Sequence, residues 1–268
     1  MKKRSWLRLF FGKIFFKYKR YFQWYFSNKK LSKFISSEKL KNKIFTHKSI
    51  LMRKLKSVDM YLQENKKTNL RIASEKINKI LIKPNETFSF WKLVGKTTKK
   101  KGYLEGLVLH NGTLQKGIGG GLCQLGNLIY WIALHSPLEI TERWRHGYDV
   151  FPDVKRTQPF GSGATLSYNY IDLQIYNPTQ QSFQLLIWQD SLYLQGELLS
   201  DKIVSYDYEI IEKKHKIKQH VLGFYTRHNE IYRNIKDRNG KVLKTEFVTK
   251  NDAIMVYNPL IGDKKNEK

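Results

Sequence analysis

A glycine run near the middle of the chain restricts the fold more than any other feature. Residues 117–121 read Gly-Ile-Gly-Gly-Gly, and the last three are Gly119, Gly120 and Gly121. Glycine has no Cβ, so such a run permits left-handed backbone and close approach of another segment. The residues that follow have helical spacing of apolar side chains, which predicts a helix with one buried side: Leu122, Leu125, Ile129 and Ile132. We expect a tight loop leading into a central helix.

The only cysteine of the chain, Cys123, lies at the first turn of this predicted helix. Unpaired N–H groups and the positive end of the helix dipole favour a thiolate there. The glycine amides, with the side chain of Gln124, are candidate donors to substrate or to a developing oxyanion. The alternative is equally open, because a lone cysteine is often a small buried hydrophobic residue and Gln124 can equally cap or pack.

A thiol nucleophile needs a base and often an acid that orients the base. His146 follows a predicted strand after the helix, and Asp172 lies on a later strand. Cysteine, histidine and aspartate occur in this order in transglutaminase-like and papain-like thiol enzymes, although such triads are defined by geometry. Asp149 and Asp153 are alternative acids near His146. The sequence therefore predicts a catalytic set of Cys123, His146 and Asp172.

Other kinds of site lack their sequence signals. The chain has no Cys/His spacing typical of a metal centre. The glycine run lacks the Lys-Ser/Thr of a phosphate-binding loop, and no GxGxxG pattern with a downstream acid occurs. We therefore predict neither a metal ion nor a cofactor. His135, at the end of the predicted helix, is best explained as a C-terminal cap.

Positive charge is concentrated at the N-terminal end. The net charge is +26, and residues 1–60 hold 18 Lys and Arg against only Glu38 and Asp59. This asymmetry predicts a basic arm, residues 1–60, that is attracted to an anionic partner. An alternative explanation of the charge is an AT-rich coding genome, which would make Lys, Ile, Asn, Phe and Tyr abundant throughout the chain, as they are here. Nucleic acid is a minor alternative partner, because no nucleic-acid-binding motif accompanies the charge.

The first 27 residues are predicted to form an amphipathic helix, with residues 28–60 continuing the arm in helical form. The helical stripe is apolar and aromatic, and basic residues lie mostly off it: Leu7, Phe10, Phe11, Ile14, Tyr18, Tyr21, Phe22 and Tyr25. Such a helix is typical of a membrane surface, and packing against a core is the alternative. Apolar runs are too short for a transmembrane helix or a secretory signal. We expect a cytoplasmic protein, located at the inner membrane surface if the arm binds lipid.

The rest of the chain predicts an α+β fold, with helices first and a mostly antiparallel sheet after them. A second amphipathic helix is expected over 66–82, ended by Pro84. Strands are expected over 103–109, 138–144, 164–170, 171–177, 183–188 and 192–197, with hairpins at Asn111-Gly112 and Asn239-Gly240. We divide the chain into the arm and a domain of residues 61–268, which ends in a hairpin over 220–260.

The stretch Gly119-Gly120-Gly121-Leu122-Cys123-Gln124-Leu125 resembles the signature of the VanW family, proteins named for a vancomycin-resistance cluster. The resemblance extends over about residues 60–260, and the tail Arg227–Tyr232 is similar to the short, stand-alone members. The other matching motifs, in chain order, are Asn69-Leu70-Arg71-Ile72-Ala73, Pro84-Asn85-Glu86-Thr87-Phe88-Ser89-Phe90, Val94-Gly95, Glu142-Arg143, His146, Ala164-Thr165-Leu166-Ser167-Tyr168 and Asp172-Leu173.

Two departures from the family pattern bear on catalysis. Leu125-Gly126-Asn127 stands where the family has Ser or Thr, and Gly163 stands where it has Asp. If that Asp is the family's orienting acid, either Asp172 is the remaining candidate here or catalysis is less favoured. The resemblance implies a role in glycopeptide resistance or envelope biology but no particular reaction. The Cys-His-Asp set makes a cysteine amide hydrolase or transpeptidase-like enzyme the first hypothesis, and the resemblance alone implies peptidoglycan peptides or their precursors as its substrates. The alternative is a non-catalytic envelope-binding or accessory module whose basic arm rests on anionic lipid.

Overall fold

The fold combines four α-helices and fourteen strands within the residues that the structure, a computed structural model, describes: 5–52, 59–110, 112–150, 158–221 and 223–259. The helices are α1 Trp6–Phe26, α2 Met60–Ile77, α3 Phe90–Val94 and α4 Cys123–Leu134, with a 3-10 turn at Lys99–Lys101. The strands are β1 Lys30–Leu31, β2 Asn42–Ile50, β3 Ile80–Ile82, β4 Glu86–Ser89, β5 Glu105–His110, β6 Thr113–Ile118, β7 Glu139–Glu142, β8 Tyr148–Asp149, β9 Gln174–Tyr176, β10 Phe183–Gln189, β11 Tyr193–Ser200, β12 Asp207–Gln219, β13 Tyr225–Lys236 and β14 Val242–Met255.

These strands form three four-stranded sheets and one hairpin, which confirms the α+β prediction. The sheet orders are β1-β4-β9-β7, β2-β11-β10-β3 and β12-β13-β14-β8, and β5 pairs with β6. Pairing is antiparallel except between β1 and β4 and between β14 and β8. Antiparallel sheets commonly cover a core with one face only, so each sheet needs a packing partner.

The predicted central helix, α4, provides that partner for two of the sheets, because it packs on β2 and β11 of one and on β7 of another. Its apolar residues Leu125, Leu128, Ile129 and Ile132 are at most 2% exposed and join one cluster with residues of the neighbouring strands. Burying a Leu or Ile side chain contributes about 1.5–3 kcal/mol. Helix α4 therefore organises the main core, and its first turn is fixed beside the glycine loop.

Several predicted boundaries are wrong. Helix α2 ends at Ile77, because Lys79 takes a left-handed φ of 66° and Ile80–Ile82 then pair as a strand. The helix expected over 28–60 is replaced by β1 and β2 in its described part. Residues 164–170, predicted as a strand, contain turns and one isolated bridge from Ser167 to Ile171.

The C-terminal sheet contains the predicted hairpin, formed by β13 and β14. Strand β12 pairs with β13 and was not predicted. The inner side of this sheet holds buried Asn229, Ile231 and Asn251, and Asn229 donates to the carbonyl of Phe160 at 2.7 Å. Arg233 connects the sheet to the end of α4 by donating to the carbonyl of Ser136 at 2.8 Å.

Candidate functional site

The glycine loop is a close backbone crossing. Gly119 and Gly121 have left-handed φ values of 76° and 94°. Gly120 lies against the backbone of Gly106 on β5, where a Cβ would be 2.2 Å from the carbonyl carbon. Only glycine fits such a contact. The predicted tight loop is thus present, and close packing of its backbone explains why glycine is needed there.

Asn69, on α2, holds this crossing in place by side-chain hydrogen bonds. Its fully buried side chain donates to the carbonyls of Leu104 and Gly120, both at 3.0 Å, and accepts from the amide of Leu104 at 2.8 Å. The amides of Gly119 and Gly120 donate to the carbonyls of Leu104 and Gly117. Because these two amides already have backbone partners, a binding role for Gly119, Gly120 and Gly121 stays a prediction.

Cys123 is the first residue of α4, as the sequence indicates. The residue is half-buried, and burial raises the pKa of its thiol, against the opposing effect of backbone hydrogen bonds from Leu166 and from its own amide. The segment 163–166 packs over this turn, where Ala164 donates its amide to Asn127 Oδ1 at 2.7 Å. These surroundings favour the neutral thiol, whereas an activated nucleophile needs the thiolate.

Gln124 is used to join α4 to the neighbouring strand. Its Nε2 donates to Ser49 Oγ at 3.0 Å and to the carbonyl of Ile50 at 2.8 Å, both on β2. The side-chain amide of Gln124 is therefore occupied by hydrogen bonds to β2. Its predicted role toward an oxyanion stays a prediction.

His146 lies just before β8, the strand that pairs with β14 of the C-terminal sheet. Burial lowers the pKa of its imidazole, and the charge of Arg145 lowers it further. Among the hydrogen bonds of the described residues, none joins this ring to Cys123 or Asp172. A lowered pKa favours the neutral imidazole that a base requires. The pairing of His146 with Cys123 stays a prediction.

Asp172 is fully buried and supports a different part of the fold. Its carboxylate accepts from Ser89 Oγ at 2.5 Å, from the amide of Trp91 at 3.0 Å and from its neighbour Leu173 at 2.9 Å. Burial raises its pKa to about 6, although Ser89, Trp91 and Arg20 oppose the shift. Asp172 thus connects the start of α3 to β9, and its role as an orienting acid stays a prediction.

The alternative acids and His135 have other surroundings. Asp149 is buried in an ion pair with Arg227 at 3.4 Å and accepts from Tyr257 at 3.0 Å. Asp153 lies outside the described residues. His135 is the C-cap of α4, with Nδ1 2.8 Å from the carbonyl of Trp131, as predicted.

The second candidate surface is α1. Its first two turns and much of the remainder are exposed, including Trp6 at 72%, Phe11 at 62% and Phe15 at 61%. Most of the predicted apolar stripe is exposed too, with Tyr21 half-buried. Within the described residues, no helix is both long and apolar enough to cross a membrane.

The docked half of α1 is held by polar contacts. Buried Arg20 pairs with Glu142 at 2.5 Å, and Trp24 donates to Ser89 Oγ at 3.2 Å. Glu142 also accepts from the amide of Asp172 at 3.2 Å. The role of Arg20 was missed by sequence reasoning, because Arg20 is one of five basic residues in α1 and only its burial distinguishes it.

The glycine loop, α4 and Asp172 all lie in the part of the chain that resembles known proteins. Residues 65–199 match the family described as VanW like protein. The chain is 42% identical over 144 residues to the vancomycin B-type resistance protein VanW of Enterococcus faecalis, covering 54% of this chain and 52% of that protein. It is 34% identical over 113 residues to the uncharacterized protein YoaR of Bacillus subtilis, covering 42% and 36%.

The aligned stretches thus span about half or less of each relative's length, and no solved structure gives a significant match. The family match begins in α2 and ends in β11, so it is shorter than the resemblance seen in the motifs. It covers half of the chain and includes every predicted catalytic residue. The chain therefore belongs to the VanW-like protein family.

Proposed function

We propose that this protein is an accessory envelope protein of glycopeptide-resistance or cell-wall biology that rests on an anionic membrane surface through α1. The observation that carries this proposal is the exposure of large apolar side chains along α1 while the helix is docked to the domain. The link to resistance comes from the name of the Enterococcus faecalis relative.

The composition of α1 fits an interfacial helix. Residues 6–26 hold five basic residues and no acidic residue, with aromatic side chains along the whole length. Basic side chains near anionic headgroups contribute about 1 kcal/mol each, and Trp and Tyr favour the level of the headgroups. A helix of this composition binds in the plane of the interface.

The docking contacts give the helix a fixed direction. Arg20, Tyr21 and Trp24 face the domain, and Tyr21 shares a hydrogen bond of 3.0 Å with Tyr168. The first half of α1 is left exposed to solvent. Because the attached half fixes the exposed half, membrane contact would orient the whole domain.

Vesicle sedimentation tests this proposal. We expect the full chain to bind phosphatidylglycerol-containing vesicles and a variant with Trp6→Gln, Phe11→Gln and Phe15→Gln to lose most of this binding. A matched control replaces three exposed apolar residues elsewhere with Gln: Ile203, Leu192 and Val221. Equal binding of wild type and the α1 variant would exclude the helix as the attachment. An equal loss of binding in the control variant would show that binding depends on exposed apolar surface in general and not on α1.

A second proposal is amide-bond chemistry on peptidoglycan peptides. The imidazole of His146 would take the proton of the Cys123 thiol, and the thiolate would attack the carbonyl carbon. The imidazolium would then protonate the departing amine, and water would hydrolyse the thioester, with Asp172 orienting the imidazole. The position of Cys123 at the first turn of α4 favours it; the raised pKa of the thiol counts against it. Cleavage of peptidoglycan peptides by wild type but not by Cys123→Ser would establish it, and no cleavage by either would remove it.

A further inference from the structure

The outer face of the C-terminal sheet carries a depression of about 240 Å³ that lies outside the family match. We name it the lysine pocket, because its lining includes Lys214, Lys216, Lys218 and Lys250. Lys216 pairs in register with His228, which pairs with Asp252; Lys250 pairs with Glu230 one step along. Neighbouring strands are about 4.8 Å apart, so these side chains converge from three strands onto one area.

Both carboxylates in the pocket already have cationic or polar partners. Glu230 is bound by Lys214 at 2.9 Å and accepts from Tyr232 at 2.8 Å, and the hydrogen bond from Lys214 lowers its pKa. Asp252 lies 2.5 Å from His228 Nδ1, and that contact lowers the pKa of Asp252. Lys250 lowers the pKa of both acids as well, but two carboxylates do not balance the four lysines of the lining.

A hydrogen-bonded chain keeps His228 in place. Its Nε2 lies 2.8 Å from Thr226 Oγ1, which lies 2.8 Å from His220 Nε2. When Nδ1 of His228 donates to Asp252, Nε2 of His228 can accept from Thr226 Oγ1, and Thr226 Oγ1 can accept from His220 Nε2. Asp252 is therefore held on His228, with Lys250 as a second positive charge in its surroundings.

The lining carries four lysines against two carboxylates, so two positive charges remain in excess. Among the described residues Lys216 and Lys218 form no ion pair, and Lys250 lies within the field of both carboxylates. Lys216 and Lys218 lie on the same side of β12, two residues apart, where like charges repel. A phosphate group offers several strong acceptor oxygens, and lysine ammonium groups bind phosphate as point charges. The lining holds no Phe, Tyr or Trp among the described residues, so a nucleobase would lack the large aromatic side chains on which bases usually stack.

We propose that the lysine pocket binds a phosphate or pyrophosphate group through Lys216, Lys218 and Lys250. The group belongs either to a small soluble phosphate compound or to a lipid headgroup. This proposal does not depend on α1, because soluble pyrophosphate needs no membrane contact.

Calorimetric titration of the full chain with inorganic pyrophosphate tests it. We expect binding at low ionic strength that weakens about tenfold or more when Lys216, Lys218 and Lys250 are all replaced by Gln. The control replaces three exposed lysines elsewhere with Gln, so the net charge changes equally: Lys39, Lys99 and Lys100. No binding by wild type, or equal weakening in both variants, would overturn the proposal.

Acetylation footprinting distinguishes the sources of the phosphate group. Soluble pyrophosphate should slow acetylation of Lys216, Lys218 and Lys250 but not of Lys99 or Lys100. Protection by phosphatidic acid vesicles as well assigns the pocket to lipid headgroups, and protection by pyrophosphate alone assigns it to soluble compounds. Protection only by an RNA oligonucleotide would overturn the proposal in favour of nucleic acid.

Discussion

At the scale of single residues, Asp172 shows how burial couples ionisation to folding. Its pKa is raised from 3.8 to about 6, so the folded state favours the neutral acid. The stability that Asp172 contributes is present below about pH 4 and is lost as pH rises through about 6. We expect Asp172→Asn to remove about 2–3 kcal/mol of this pH dependence.

Urea unfolding between pH 4 and 7.5 measures this effect as the difference between wild type and variant. Asp190→Asn is a control of opposite sign, because backbone hydrogen bonds from Tyr193 and Leu192 lower the pKa of exposed Asp190. Its contribution is present at neutral pH and is lost as pH falls. Parallel curves for wild type and Asp172→Asn would contradict the raised pKa.

Cys123 gives a second prediction at this scale. Because burial raises the pKa of the thiol, we expect iodoacetamide to react with the folded protein only at alkaline pH, with no midpoint below the roughly 8.5 of a free thiol. His146→Ala should leave the profile unchanged, and the protein unfolded in urea provides the reference thiol. A low midpoint that rises in His146→Ala would instead restore the predicted catalytic pair.

At the scale of elements, the glycine crossing is sensitive to a single methyl group. In Gly120→Ala the new Cβ meets the backbone of Gly106, which cannot move aside as a flexible side chain would. We expect a loss of about 2 kcal/mol or more in the free energy of unfolding. Gly147→Ala is the matched control, since nothing lies within 4 Å of its added Cβ. Equal stability of the two variants would mean that the loop relaxes freely.

A largely buried ion pair, Arg20 with Glu142, is one of the contacts that attach α1. Arg20→Met leaves the carboxylate of Glu142 without its cation, and breaking a buried pair costs about 3–5 kcal/mol. We expect trypsin to cleave after Lys17 and Lys19 several-fold faster in this variant. Arg8→Met, on the exposed half of the same helix, should cleave there at the wild-type rate. Unchanged cleavage in Arg20→Met would show that the aromatic contacts suffice.

At the scale of the whole molecule, charge and apolar surface should act together in membrane binding. Raising sodium chloride from about 0.1 M to 1 M shortens the Debye length from about 10 Å to 3 Å. We expect vesicle binding to weaken but to persist in part through the aromatic side chains of α1. Binding that is insensitive to salt would rule out an electrostatic contribution. Binding that is abolished by salt would rule out a contribution from the apolar side chains.

Prediction from the sequence worked where a local pattern and the final packing agree. Helix α4 and the β13–β14 hairpin follow from apolar periodicity and turn residues. Strand β12 was missed because its side chains are mostly exposed, so it has little alternation and exists by pairing with β13. Residues 80–82 look like the end of a helix, yet they pair with β10.

By itself, the sequence determined the fold class, the family and the position of Cys123 at a helix start, because these depend on residue types close together along the chain. Only the tertiary structure decided which charges are neutralised and which remain unpaired. Arg20 and Lys216 are both basic residues in basic stretches of the sequence. Arg20 is buried against Glu142, whereas Lys216 lines the lysine pocket and forms no ion pair among the described residues. Burial and pairing depend on segments distant in sequence, so composition and spacing do not encode them locally.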